Sequence, residues 1–352
     1  MTRFSKVGST PRRPDGMDKV TGRAMYVDDL TRPGLWHGAT VRSPHAHARI
    51  RGVHFHADRA PEGALCLTAR DIQGVNGVQL LDDTWPILAA DHVLHVGQAV
   101  ALVAAPTPEA ARAAARAVEV EYEPLPAAFS WDEALALEPL NTLELVKGDV
   151  EAGLAQAAPV LDGASPTGPQ EHTYIECQGM IAWEEPDGTL TVQGSMQCPY
   201  YVHKALVHTF DLPEKRIRVL PAAVGGGFGG KEDYPSLIAL HAALLARATR
   251  KPVKIIYDRH EDIIATTKRH PARILHRTGV ASDGSLTAMD ITVLLDGGAF
   301  RTLSPVVLSR AVIHAAGPYK CDNIRVRGKV LFTHTAPNAA FTTLLAGIRC
   351  GA

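Results

Sequence analysis

Cysteine is scarce in this chain: five in 352 residues, at Cys66, Cys177, Cys198, Cys321 and Cys350, with no C-x-x-C pair. That scatter argues against a disulfide framework, a zinc ribbon or an iron–sulfur cluster ligated by this chain. Reduced, buried thiols are the plain reading. No apolar run approaches the ~20 residues that span a bilayer, and Met1-Thr-Arg-Phe-Ser-Lys6 lacks an apolar signal core, so the cytoplasm is the expected compartment. Net charge is missing too. The 36 basic and 37 acidic residues leave −1, which gives no reason to bind nucleic acid or an anionic membrane. The 16 histidines include no H-E-x-x-H pattern. His45 and His47 alternate as on one strand face, and His203 and His208 stand five apart; all read as surface or packing groups.

What is present is an ordinary globular composition, 46% hydrophobic, and enough length for two or three domains. Residues 1–17 read as an N-terminal arm and residues 18–126 as a first, mixed domain. Within it, His37–Arg42 is strand-like and Gly97–Ala105 is an apolar run of buried-strand type. Thr107-Pro108 caps an alanine-rich helix reaching Ala117, and Val118–Tyr122 alternates as a half-buried strand. Residues 127–170 read as a connecting stretch, 171–341 as a second domain and 342–352 as a tail. In the second domain, Asp187-Gly188 predicts a hairpin joining Met180–Trp183 to Gly188–Gly194, and Asp283-Gly284 predicts another. Pro199–Phe210 reads as a helix, and Pro252–Tyr257 and Leu286–Leu295 as strands.

The stretch Val224-Gly-Gly-Gly-Phe-Gly-Gly-Lys-Glu232 is the most informative. Glycines let backbone N–H groups approach a ligand, and successive N–H groups can form a concave anion site. A flexible linker is the bland alternative. It is weakened by a strand-like run, Arg216–Leu220, on one side and a helix opening at Asp233 and Pro235 on the other. Gly225, Gly227 and Gly230 satisfy G-x-G-x-x-G, but a lone match is weak and no acidic residue stands about 20 positions on. No Ser or Thr follows Lys231, which excludes a P-loop. Lys231 and Glu232 are expected to close the loop with charge.

Gly225-Gly-Gly-Phe-Gly-Gly-Lys-Glu232 resembles the molybdopterin-binding large subunit of the molybdenum hydroxylases, the xanthine dehydrogenase/oxidase family. Arg42–Ile50, Val96–Val100, Ser195-Met-Gln197, Asp258–Asp262 and Arg269-His-Pro271 resemble further family segments in the same order, from about Asp18 to Phe341. The resemblance implies an α+β fold: an α/β hammerhead domain followed by the first, incomplete molybdopterin-binding domain. It also implies a cofactor, molybdopterin or molybdopterin cytosine dinucleotide carrying molybdenum, and no metal ligand from this chain. Gln197 matches a glutamine that hydrogen-bonds an oxo ligand of molybdenum. Gly227, Phe228 and Gly229 match the loop bordering the metal, and Glu232 matches a glutamate that binds purine and assists proton movement. The implied reaction is oxidation of a purine or similar N-heterocycle, with water as the oxygen source. Electrons would leave through an iron–sulfur subunit and an FAD subunit, in a possible dimer of heterotrimers.

From the residues alone, Gln197 could be a helix cap and Glu232 a carboxylate placed at a helix N-terminus by the dipole. Asp258, Arg259, Glu261 and Asp262 read as a structural ion-pair network and His270-Pro271 as structural, while Asp296–Phe300 also resembles a family segment, which implies packing near the cofactor. After Phe341 the resemblance stops, and with it the family's glutamate general base, so the chain is expected to be inactive alone. The alternatives are an inert truncated or frameshifted fragment, a partner-docking protein, or a member oxidising aldehydes or another heterocycle. A nicotinamide enzyme using the glycine loop is a remote fourth.

Overall fold

Ala99–Ala105 is buried at every position, as an uninterrupted apolar strand should be, and it lies inside a seven-stranded sheet. In this computed structural model, which describes residues 7–81 and 84–341, the sheet order is Ile217–Pro221, Leu190–Gly194, Gly179–Glu184, Val253–Ile256, Trp36–Arg42, Ala99–Ala105 and Leu65–Thr68. One face is covered by the helix Tyr234–Thr249, whose residues from Tyr234 to Ala246 are all buried. A helix that is apolar all round belongs in a core rather than on a surface. The helix comes so close to the sheet that a Cβ on Gly38 would stand 2.7 Å from both Leu245 and Ile255.

A second sheet of five strands runs Val160–Thr167, Ala272–Val280, Leu286–Asp296, Ile324–Leu331, Asn141–Lys147. The helix Ser304–His314 packs on it and shares its apolar core through Val307, Leu308, Ala311 and Val312. A three-stranded sheet joins His92–Val93, Ala48–Phe55 and Val118–Pro124.

The expected α+β class holds. So do the hairpin of Gly179–Glu184 with Leu190–Gly194, the Asp283-Gly284 turn between Ala272–Val280 and Leu286–Asp296, and the helix Pro199–Phe210. Thr107 caps its helix as expected, accepting from the Ala110 amide at 3.1 Å.

The strand–helix–strand run Ala99–Ala105, Pro108–Arg116 and Val118–Pro124 is present, its two strands entering different sheets. Two features differ from the sequence reading. Residues 127–170 hold both edge strands of the five-stranded sheet and the helices Trp131–Leu135 and Val150–Ala155. Their polar, Pro- and Gly-containing composition suits edges, where only one side of the ladder is paired. Finally, Trp36–Arg42 pairs in parallel with Val253–Ile256, so the large sheet runs through both halves of the chain. The N-terminal arm is described only from Val7, and the tail at 342–352 lies outside the described residues.

Candidate functional site

Leu190–Gly194 and Ile217–Pro221 are parallel neighbours, so the segments leaving their C-terminal ends emerge side by side. One carries Ser195 and Gln197, the other the glycine loop. Crevices outside the carboxyl ends of parallel strands are where open sheets bind ligands.

The Gln197 side-chain oxygen accepts from the amides of Gly229, at 3.0 Å, and Lys231, at 3.2 Å. The Gln197 amide in turn donates to the Lys231 carbonyl at 2.7 Å. Its side-chain nitrogen has no partner among the described residues, and the residue is exposed, so a pinned oxygen leaves a free donor at the open face. This places Gln197 against the loop. The Gly229 amide, expected to face a ligand, is already committed to Gln197. The amides of Gly226, Gly227 and Phe228 are the ones without a partner among the described residues.

Space is short at Gly225, Gly227, Gly229 and Gly230, where a Cβ would come closer than 3.0 Å to a neighbour. A Cβ on Gly227 would fall 2.4 Å from the Gln197 oxygen, and one on Gly229, where φ is +101°, would fall 2.6 Å from the Ala340 carbonyl. Phe228 is also at positive φ, +53°, and its ring is 56% exposed at the loop's tip.

Lys231 brings its charge to the loop's end as expected, but from the inside: its side chain is fully buried. Its Nζ lies 2.9 Å from Glu176 Oε2 and 2.9 Å from Ser195 Oγ, and 4.7 Å from the centre of the Tyr174 ring. Burial pushes its pKa down. Burial also works against the Glu176 carboxylate, but hydrogen bonds from Ser195 and Gly225 and the Lys231 ammonium outweigh it and hold Glu176 below its ordinary range. The two partners thus pull in opposite senses on charging the pair. We take the pair as charged, because one Glu176 oxygen gathers three donors at 2.6–2.9 Å. Glu176 and Ser195 were not singled out from the sequence, since nothing local links position 176 to position 231.

Glu232 makes no such pair. It is half-buried, its carboxylate has no hydrogen-bond or ion-pair partner among the described residues, and burial raises its pKa. Next to it Asp233 is wholly buried and burial lifts its pKa to about 7. Asp233 accepts from the Tyr234 amide at the start of the helix, while its second oxygen has no partner.

The expected ion-pair network at 258–262 holds only in part. Glu261 pairs with Arg42 at 2.8 Å. Asp258 caps its helix through the Glu261 amide, Asp262 accepts from the Gln178 amide, and Arg259 donates to the carbonyls of Tyr174 and Ile175. His270 is structural as expected, buried against Ser304 Oγ at 2.7 Å. The Asp296 carbonyl accepts from Asn338 at 2.9 Å, in the segment that then carries the Ala340 carbonyl beneath Gly229. Among the described residues no cluster of His, Cys, Asp or Glu could hold a metal. The donor set suits an anionic, oxygen-rich group: three free loop amides, a free Gln197 N–H and space that only glycine leaves open.

Two family models match. The molybdopterin cofactor-binding domain covers residues 136–344, and the a/b hammerhead domain of aldehyde oxidase and xanthine dehydrogenase covers residues 21–126. A probable xanthine dehydrogenase subunit of Bacillus subtilis (strain 168) is 38% identical, over 94% of this chain and 45% of that protein. The nicotinate dehydrogenase large molybdopterin subunit of Eubacterium barkeri is 33% identical, over 96% of this chain and 81% of that protein. Quinoline 2-oxidoreductase from Pseudomonas putida 86 superposes with a TM-score of 0.86 at 27% identity, over 96% of this chain and 46% of that one. The chain therefore spans less than half of the first and third of these relatives and about four-fifths of the second.

Proposed function

Since the chain belongs to the aldehyde oxidase and xanthine dehydrogenase family of molybdenum-dependent oxidoreductases, we propose that it forms one wall of the cofactor and substrate site of an N-heterocycle hydroxylase. The observation that carries this reading is the juxtaposition of a free-amide glycine loop, an outward Gln197 N–H and an unpartnered, half-buried Glu232.

The molybdenum cofactor, as molybdopterin or its cytosine dinucleotide, supplies the two-electron acceptor. The chain's own residues bind and orient. The amides of Gly226, Gly227 and Phe228 and the side-chain nitrogen of Gln197 hold oxygen atoms of the bound group, and the exposed Phe228 ring offers an aromatic face to the substrate. Glu232, with its pKa raised by burial, exchanges a proton with a ring nitrogen of the substrate. An aldehyde offers no ring nitrogen for that exchange. The names of three relatives support a heterocycle of this kind, a purine among them: xanthine, nicotinate and quinoline are all nitrogen heterocycles.

Among the described residues none is placed at this wall to act as general base. The Eubacterium barkeri large molybdopterin subunit, matched over 81% of its length, supports a chain of this span working as one subunit. Iron–sulfur and FAD partner chains carry electrons away, a reading supported by relatives named as subunits. No helix among the described residues is long and apolar enough to cross a membrane, and a cytoplasmic setting fits that.

The test is to assemble the chain with its complementing partners and assay dye reduction with xanthine, nicotinate and benzaldehyde. Glu232→Ala is expected to lower kcat/KM for the heterocycle about 100-fold, the lower end of general acid–base contributions, and to leave any benzaldehyde turnover nearly intact. Equal kinetics on the heterocycle would remove Glu232 from the proposal.

A further inference from the structure

Building on the glycine loop as the cofactor cradle, we propose that Lys231 is a positioning residue whose buried side chain closes the loop into a ring and so fixes its free amides relative to Gln197. The loop's first amide, from Gly225, and its last side chain, from Lys231, both reach Glu176 Oε2, at 2.7 and 2.9 Å. A single oxygen thus holds both ends. Ser195 Oγ bridges the pair, donating to that oxygen at 2.6 Å and accepting from Lys231 Nζ at 2.9 Å. The backbone of Lys231 meanwhile makes a two-way pairing with Gln197, its amide to the side-chain oxygen and its carbonyl to the Gln197 amide. Lys231 therefore ties three segments together: the one carrying Glu176, the one carrying Ser195 and Gln197, and the loop itself.

A wholly buried lysine needs such a reason. Taking an ammonium out of water is costly, and replacing a buried pair with neutral groups of similar volume is often neutral or stabilising. What neutral groups cannot do is hold both ends of a glycine-rich loop to one atom. Glycines carry the largest backbone freedom of any residue, and a cradle that is already fixed gives up less of it when a ligand binds. The amides left between the anchors, at Gly226, Gly227 and Phe228, are the ones without partners among the described residues, so the clamp acts where the cradle is open.

The experiment uses the full chain, purified with whatever partners it retains. Hydrogen exchange is followed across residues 222–233, and bound molybdopterin is assayed, for the wild type, Lys231→Met, the volume-conserving double variant Lys231→Met/Glu176→Gln, and Ser195→Ala. The double variant removes both charges and Ser195→Ala removes none, so a misfolded Lys231→Met does not decide the outcome. In folded variants, loop exchange at least tenfold faster than wild type, with bound molybdopterin reduced at least tenfold and exchange in Tyr234–Thr249 unchanged, is the expected result. Loop exchange within twofold of wild type overturns the proposal, and so does faster exchange with molybdopterin fully retained. A wild-type protein that holds no molybdopterin overturns the cradle reading instead, and the exchange rates alone then uphold or overturn the clamp.

Discussion

Phe228 occupies a left-handed conformation, φ +53°, with its ring mostly in solvent. A bulky residue there costs of order 1–3 kcal/mol and persists only where its surroundings impose it. The surroundings do: Gly229 is fixed by Gln197 on one side and crowded by Ala340 on the other. Asp233 stores a different strain. Its folded pKa is raised from 3.8 to about 7 by burial, so the fold prefers the neutral acid. The sign follows: the stability this group allows is fully present below pH 3.8, is lost as pH rises, and is gone above about 7, on the order of a few kcal/mol in all. Asp233→Asn should flatten the stability profile between pH 4 and 8, as read by urea unfolding at several pH values. A variant that still declines in parallel with wild type would assign the pH dependence to other groups. At this scale the sequence was legible where chemistry is local. Gln197 and the glycine loop do lie together, and the Asp233 and Thr107 caps form as expected. It was silent on Glu176, because a buried partner 55 positions from Lys231 leaves no local pattern.

Among the elements, the helix Tyr234–Thr249 bears most on the site, since its first turn follows Glu232 directly. It is buried throughout its middle and lies against Gly179–Glu184 and Val253–Ile256 in the main core. Leu240→Ala removes a side chain with no exposure and should cost about 2–5 kcal/mol, seen as a lower urea midpoint with an unchanged slope. A loss under about 1 kcal/mol would mean the core there collapses onto the gap. The helix was readable from its opening at Asp233 and Pro235, and the two hairpins from their Asp-Gly turns. The edge strands Asn141–Lys147 and Val160–Thr167 were not. Their partners, Ile324–Leu331 and Ala272–Val280, lie more than a hundred residues away, and one-sided pairing demands little of composition.

Across the whole molecule, the hammerhead and cofactor-binding parts share a sheet and a buried ion pair. Arg42 donates to Glu261 and to the Gly97 carbonyl and lies 4.8 Å from the Tyr257 ring centre. Calorimetry of the full chain should therefore show one cooperative transition, and Arg42→Ala, which strands Glu261, should lower stability by about 3 kcal/mol. Two separate transitions in the wild type would refute that coupling. The pairing of Trp36 with Val253 and of His37 with Lys254 also sets an order of events during synthesis. A ribosome adding about 5–20 residues per second leaves the Trp36–Arg42 edge waiting roughly 10–40 s for its neighbour to emerge. Throughout that interval Trp36–Arg42, paired on its other side with Ala99–Ala105, presents one open edge able to recruit another strand. A chain released before residue 253 keeps that edge open.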